Sequence, residues 1–138
     1  MSFNTLNFEQ VNMLHSNSIE EFGGLPGGFP DTQERVESSL AQIEKVFGYD
    51  RYSSIEEKAS ALLYFFAKNH CYRDGNKRIA FSICDFFLFL NGKDLTLPED
   101  EAIKLVLEVA ESDKRGQEIE SYIKEDIAIK IKKNCIDI

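Results

Sequence analysis

The sequence predicts an all-α domain of about six helices, with two buried helices at its centre joined by a polar loop. Three observations carry that reading. Apolar residues recur at intervals of three and four along nearly the whole chain, and no segment alternates convincingly as a half-buried strand would. Two stretches, one holding Ile55, Ala59, Leu62, Leu63, Phe65 and Phe66 and the other Ile79, Ile83, Phe86 and Leu90, are apolar on most faces, which marks central helices. Between them, residues 69–78 form the most polar short stretch in the neighbourhood.

A first helix is expected over about residues 8–22. It is followed by Gly23-Gly24-Leu25-Pro26-Gly27-Gly28-Phe29-Pro30, where four glycines and two prolines in eight residues cannot continue it. Asp31 suits an N-cap, and Val36, Leu40, Ile43 and Phe47 then recur at helical spacing until Gly48 stops the second helix. Ser53-Ser54-Ile55-Glu56 reads as a capping box opening the third. The fourth begins after the break at Asp74-Gly75 and closes at Asn91-Gly92, its apolar faces interrupted by a strip of Arg78, Ser82 and Asp85. Thr96-Leu97-Pro98-Glu99 opens a fifth with Ala102, Val106 and Val109 inward. A sixth runs from about Gln117 with Ile119, Ile123 and Ile127. Without repeats, low-complexity tracts or linkers, residues 1–138 read as one domain.

Composition narrows the function. With 43% hydrophobic and 29% charged residues, the chain is globular rather than disordered. A formal net charge of −8 argues against nucleic acid and anionic membrane surfaces as partners, because both attract clustered lysine and arginine. The three cysteines, Cys71, Cys84 and Cys135, have no paired spacing, and residues 1–7 lack a basic region leading into an apolar one. The expectation is a reducing cytoplasm and no export signal. The apolar runs over residues 59–67 and 79–90 are too short to span a membrane.

The chemistry concentrates in His70-Cys71-Tyr72-Arg73-Asp74-Gly75-Asn76-Lys77-Arg78. A lone histidine at a helix end is more often a dipole partner or a satisfied core residue. Here Asp74, Asn76, Lys77 and Arg78 within eight residues favour a proton acceptor for an attacking hydroxyl. Asp74 before a glycine is ordinarily a turn residue, yet a carboxylate beside a phosphate loop is also the oxygen ligand Mg²⁺ prefers. Gly75 lets the backbone approach an anion, and the amides of Asn76, Lys77 and Arg78 open the following helix, where N–H groups attract phosphate. Cations are disfavoured at a helix amino end, so the Lys77-Arg78 pair points to a bound polyanion. Zinc at His70-Cys71 is discarded, since neighbouring residues rarely share one ion. Tyr72 is expected to anchor the loop in the core. His15 is read as structural, and Arg73 has no assigned role.

This segment resembles the Fic signature, His-x-Phe-x-Asp/Glu-Gly-Asn-Gly-Arg-x-x-Arg. It is closer still to the Doc variant of that family, in which Asn-Lys-Arg replaces Asn-Gly-Arg. Leu14-His15, Gly23-Gly24-Leu25-Pro26-Gly27 and Phe87-Leu88-Phe89-Leu90-Asn91-Gly92 extend the likeness to Doc-type, or death-on-curing, toxins over essentially the whole chain. The resemblance implies an all-α fold and a catalytic trio of His70, Asp74 and Lys77, with His70 as general base and Asp74 holding Mg²⁺. Gly75, Asn76, Lys77 and Arg78 would bind the nucleotide, and Gly24, Leu25, Pro26 and Gly27 would position the target. Departures from the Fic pattern are Tyr72 for phenylalanine, Lys77 for glycine, and Ile79-Ala80-Phe81 after Arg78 with no second arginine. Doc-type proteins share the last two. They imply a cytoplasmic toxin kinase that moves the γ-phosphoryl of ATP to a Ser or Thr hydroxyl of a translation factor of the elongation factor Tu class. The alternatives are a nucleotidyltransferase that adds AMP, and a non-catalytic nucleotide-binding module. The family's self-inhibitory pattern fails at residues 121–126, so the resemblance implies a trans-acting antitoxin.

Overall fold

In a computed structural model, residues 2–138 are described; Met1, the first position of the expected single domain, lies outside the described residues. The helices run α1 (Phe8–Phe22), α2 (Thr32–Ala41), α3 (Ile55–Lys68), α4 (Asn76–Leu90), α5 (Glu99–Glu111), α6 (Gln117–Tyr122) and α7 (Ala128–Lys133). A π-helical segment, Ile123–Ile127, joins α6 to α7 end to end, so the described residues form six helical rods, as the periodicity indicates. Among the described residues no helix is long and apolar enough to cross a membrane.

α3 and α4 form the centre. Ala59, Leu62, Leu63 and Phe66 of α3, and Ile79, Ala80, Ile83, Cys84 and Phe87 of α4, are all fully buried. Burying each large side chain contributes about 1.5–3 kcal/mol, so this pair supplies much of the driving force. α1, α2, α5 and the last rod pack round the pair, with Val11, Val36, Val109, Ile127 and Ile131 turned inward. Asn7 and Gln10 form a capping box at the start of α1. α3 is capped by Ser54, whose Oγ accepts from Glu57 N–H at 3.0 Å, one residue later than the Ser53 register expected. Lys58 of α3 has no exposed surface; it donates to Asp50 at 2.7 Å and to the Tyr52 carbonyl, tying the 42–54 connection to the core. Lys68 donates to the carbonyls of Ala110 and Ser112 at the carboxyl end of α5, where a cation suits the dipole.

Three sequence expectations are corrected. α2 ends at Ala41 rather than at Gly48, and Phe47, expected in its apolar stripe, is fully exposed in a tight turn with φ +51°. Asp31 precedes α2 but its side chain makes no cap hydrogen bond; its carboxylate pairs with Arg35 instead, at 3.0 Å. Two short strands also occur. β1 (Lys93–Leu95) pairs antiparallel with β2 (Cys135–Asp137), Asp94 opposite Ile136, and Lys93 bridges Asp137 and Glu56. Three residues are too few for alternation to be legible, and the partner lies forty residues away.

Candidate functional site

The centre of the site is the connection from α3 to α4. α3 closes at Asn69, and His70 adopts a left-handed backbone, φ +47°, uncommon for a residue with a Cβ. The turn throws its side chain outward: His70 is exposed, and its ring makes no hydrogen bond among the described residues. Cys71 and Tyr72 then dive inward and are buried. Tyr72 is the anchor that the sequence suggests. Its ring stacks on the imidazole of His15 with centroids 3.7 Å apart, and its hydroxyl meets Asn12 at 3.3 Å. Burial raises the Tyr72 phenol above its ordinary range, so it stays protonated.

Asn76 clamps the loop from the start of α4. Its Oδ1 accepts from Tyr72 N–H at 3.0 Å, and its Nδ2 donates to the Tyr72 carbonyl at 2.8 Å. The Asn76 side chain is therefore engaged by the loop, which leaves its backbone N–H, not its amide group, for a ligand. Gly75, at φ +76°, occupies the N-cap position and has no side chain to cap with. Ile79 is the first residue whose N–H is taken within the helix, by Gly75 O at 3.0 Å. The N–H groups of Asn76, Lys77 and Arg78 thus have no acceptor among the described residues. An uncapped helix start is a ready anion cradle.

The glycine-rich segment lies against this loop. Gly28 pairs with Tyr72 in an isolated antiparallel bridge, Arg73 N–H donates to Gly27 O at 3.3 Å, and Arg73 Nε donates to Gly28 O at 3.0 Å. Leu25 N–H reaches Asp74 Oδ2 at 3.1 Å, while Gly75 N–H reaches Asp74 Oδ1 at 2.9 Å. A Cβ on Gly24 would stand 2.9 Å from that same Oδ2, and φ there is +117°, so only glycine allows the approach. Of the four residues expected to position a target, Gly24, Leu25 and Gly27 touch the loop, and Pro26 is exposed.

Asp74 is accessible and ionised. The N–H of Leu25, and next that of Gly75, hold its carboxyl below the usual carboxylate range, with Arg78 adding to the effect. Each oxygen accepts one hydrogen bond and keeps further acceptor capacity. No group of three or more His, Cys, Asp or Glu side chains gathers among the described residues. A single carboxylate beside a phosphate cradle still fits Mg²⁺, which takes one or two carboxylates and completes its shell with phosphate and water. Arg73, Lys77 and Arg78 are exposed, and none has a carboxylate partner among the described residues. In a chain with 24 acidic and 16 basic residues, three unpaired cations around one loop mark a local positive field. The Arg78 guanidinium lies over the Phe22 ring at 4.2 Å.

Beside Lys77 and Arg78 opens a groove of about 680 Å³ between α1, α4 and α5, walled by apolar residues such as Leu14, Phe22, Ile103 and Val106. Phe81, three residues after Arg78 and so at the place of the second arginine in the Fic signature, faces this groove.

His15 is structural, as the sequence reading has it: its Nε2 donates to the Asp74 carbonyl at 2.8 Å. Sequence reasoning missed three contributors. Thr32 accepts from Phe29 N–H and donates to the Cys71 carbonyl, both at 2.6 Å. Arg35 donates to the His70 carbonyl at 2.8 Å. Arg73, left without a role, fastens the glycine-rich segment. Only the three- and four-residue spacing of Thr32, Arg35 and Ser39 on α2 could have signalled a shared polar face.

Comparison with known proteins identifies the family. Residues 5–88 match the Fic/DOC family. A relative from Mycolicibacterium smegmatis named "Toxin Doc" is 43% identical over 70 residues, covering 49% of this chain and 54% of the relative. A second, "Protein kinase doc" of Escherichia phage P1, is 30% identical over 84 residues, covering 61% of this chain and 65% of the relative. The aligned part thus spans between half and two thirds of each relative. With the family match covering more than half of the chain, and the His70 to Arg78 loop inside it, this chain belongs to the Fic/DOC family.

Proposed function

We propose that this chain is a toxin kinase that transfers the γ-phosphoryl group of ATP to a serine or threonine hydroxyl of a translation factor of the elongation factor Tu class, in the cytoplasm. The observation that carries the reading is the uncapped start of α4, with Lys77 and Arg78 unpaired beside it. The name of the phage relative, a protein kinase, agrees with it.

The chemistry assigns each group one task. The N–H groups of Asn76, Lys77 and Arg78, with the two side-chain charges, hold the polyphosphate. Gly75 keeps the backbone close enough for that contact. Mg²⁺ at Asp74 would neutralise charge on the phosphate oxygens. A ring nitrogen of His70 takes the proton of the target hydroxyl. The hydroxyl oxygen forms its bond to the γ-phosphorus as the bond to the bridging oxygen breaks, and ADP departs with that electron pair. The segment holding Gly24, Leu25, Pro26 and Gly27 lies over Asp74 and would align the target peptide. Lys77 decides which phosphorus is attacked. A lysine where Fic enzymes carry glycine adds bulk and charge to the cradle, which favours a placement with the γ-phosphoryl toward His70.

The apolar groove next to Lys77 and Arg78 supports a trans-acting antitoxin. An amphipathic segment folding into it would cover the phosphate cradle.

The test is the mass added to purified elongation factor Tu incubated with this chain, ATP and Mg²⁺. A phosphoryl group is expected from the wild type. His70→Ala should be silent with an unchanged melting temperature, since its exposed ring makes no hydrogen bond among the described residues. Lys77→Gly should lose most of the activity. Addition of AMP by the wild type would establish the nucleotidyltransferase instead. Nucleotide binding with no modification would leave a binding module.

A further inference from the structure

Three successive residues at the end of α3 are held by one face of α2. Asn69 Nδ2 donates to Ser39 Oγ at 2.7 Å, the His70 carbonyl accepts from Arg35 Nη1 at 2.8 Å, and the Cys71 carbonyl accepts from Thr32 Oγ1 at 2.6 Å. Thr32, Arg35 and Ser39 are spaced three and four apart, so they project from the same side of the helix. The contact splints residues 69–71 along α2. Thr32 and Ser39 are buried, as structural pegs would be. Arg35 differs: its side chain is 39% exposed, and its grip is on the one residue of the three with a left-handed backbone.

A non-glycine residue at φ +47° persists only where its surroundings hold it there. The guanidinium of Arg35 is itself fixed from two other sides. Nε bonds Asp31 Oδ2 at 3.0 Å, and the plane lies over the Phe29 ring at 5.0 Å from the centroid. A group so tethered delivers its Nη1–H along a set direction.

We propose that Arg35 is a positioning residue for His70, holding its backbone in the left-handed turn that aims the imidazole outward. The inference rests on His70 acting as the proton acceptor. It adds a residue outside the signature loop, on a different helix, on which the alignment of that base depends. Arg35 touches neither the hydroxyl nor the phosphate in this scheme; it acts through the main chain of His70.

The test separates positioning from chemistry. His15 and His70 are the chain's two histidines, so the His70 ring signals are assignable by NMR through their loss in His70→Ala. In Arg35→Ala the His70 backbone coupling constant and shifts should leave the left-handed range, while those of His15 stay in place. With ATP and elongation factor Tu, kcat should fall about 10- to 100-fold at unchanged KM for ATP, as expected for a misaimed base. Arg35→Lys, which can still donate to the carbonyl, should recover part of the loss. Native-like His70 signals in a folded Arg35→Ala protein would overturn the proposal. Were that variant to unfold, Arg35→Met keeps the aliphatic stem but has no donor for the His70 carbonyl, and unchanged His70 signals there would overturn it equally. A wild type that modifies nothing sinks the kinase reading alone, because the NMR comparison still decides whether Arg35 holds His70.

Discussion

His15 and His70 show how one residue type serves two ends a few residues from the same loop. His15 is 2% exposed, stacked on Tyr72 and bonded to the Asp74 carbonyl. That carbonyl can only accept, so Nε2 carries a proton. His70 is exposed, with a ring that makes no hydrogen bond among the described residues. Removal of the two should therefore give opposite phenotypes. His15→Ala deletes an aromatic stack and the bond to the Asp74 carbonyl and leaves a cavity at a buried site, which should cost about 2–4 kcal/mol of stability. Urea denaturation measures this directly, with His70→Ala as the stable reference. A His15→Ala protein as stable as His70→Ala would mean that the stack and bond hold nothing together.

At the scale of elements, the instructive failure is the end of α2. The spacing of Val36, Leu40, Ile43 and Phe47 continues a helical stripe, yet only Val36 and Ile43 are fully buried. The chain instead makes a narrow turn in which Val46 and Tyr49 exchange both backbone hydrogen bonds, at 3.0 and 2.9 Å. Phe47 and Gly48 sit at its corner with φ +51° and +79°. A two-residue turn of this hand favours Asn-Gly, and a phenylalanine in the left-handed region carries a steric cost of about 1–2 kcal/mol. Phe47 has no burial to offset that. Phe47→Asn should accordingly stabilise the protein by about 1 kcal/mol, read as a raised urea midpoint at constant slope. A lowered midpoint would show that the phenyl ring stabilises the fold in a way its exposure does not suggest.

Over the whole molecule, a net negative charge contrasts with a small basic site, and an open apolar groove adjoins that site. A formal charge of −8 disfavours long anionic backbones as partners, whereas under the proposed reading the local cluster of Arg73, Lys77 and Arg78 attracts a small polyanion to one place. A groove of about 680 Å³ lined by Leu14, Phe22, Phe81 and Val106 is an unusual thing to leave open beside a phosphate cradle. Under the antitoxin reading it is the surface by which the activity is restrained. Expression of the chain alone should arrest growth, and co-expression of an adjacent antitoxin gene should relieve the arrest. Phe81→Glu, which places a charge in the groove, should leave the arrest intact but abolish the relief. Continued relief in that variant would place the antitoxin elsewhere.

What the sequence determined by itself was the set of local signals: the helical periodicity, the capped start of α3, the glycine-rich break, and the contiguous His70 to Arg78 loop. These are short-range features, in which residues that act together are neighbours in the chain, so their chemistry can be read without coordinates. Tertiary structure decided everything that depends on residues far apart. It placed the Leu25 amide on Asp74, 49 positions away, and the Arg35 guanidinium on the His70 carbonyl, 35 positions away. It set the Asn76 side chain as a clamp on Tyr72, a role the sequence does not signal. It also ended α2 early, because two mutual backbone hydrogen bonds in the turn at Val46 and Tyr49 outweighed one more apolar position in a helix. Patterns of period three and four report which face is apolar; they carry no record of which distant backbone amide will meet a given carboxylate, and that meeting is what builds this site.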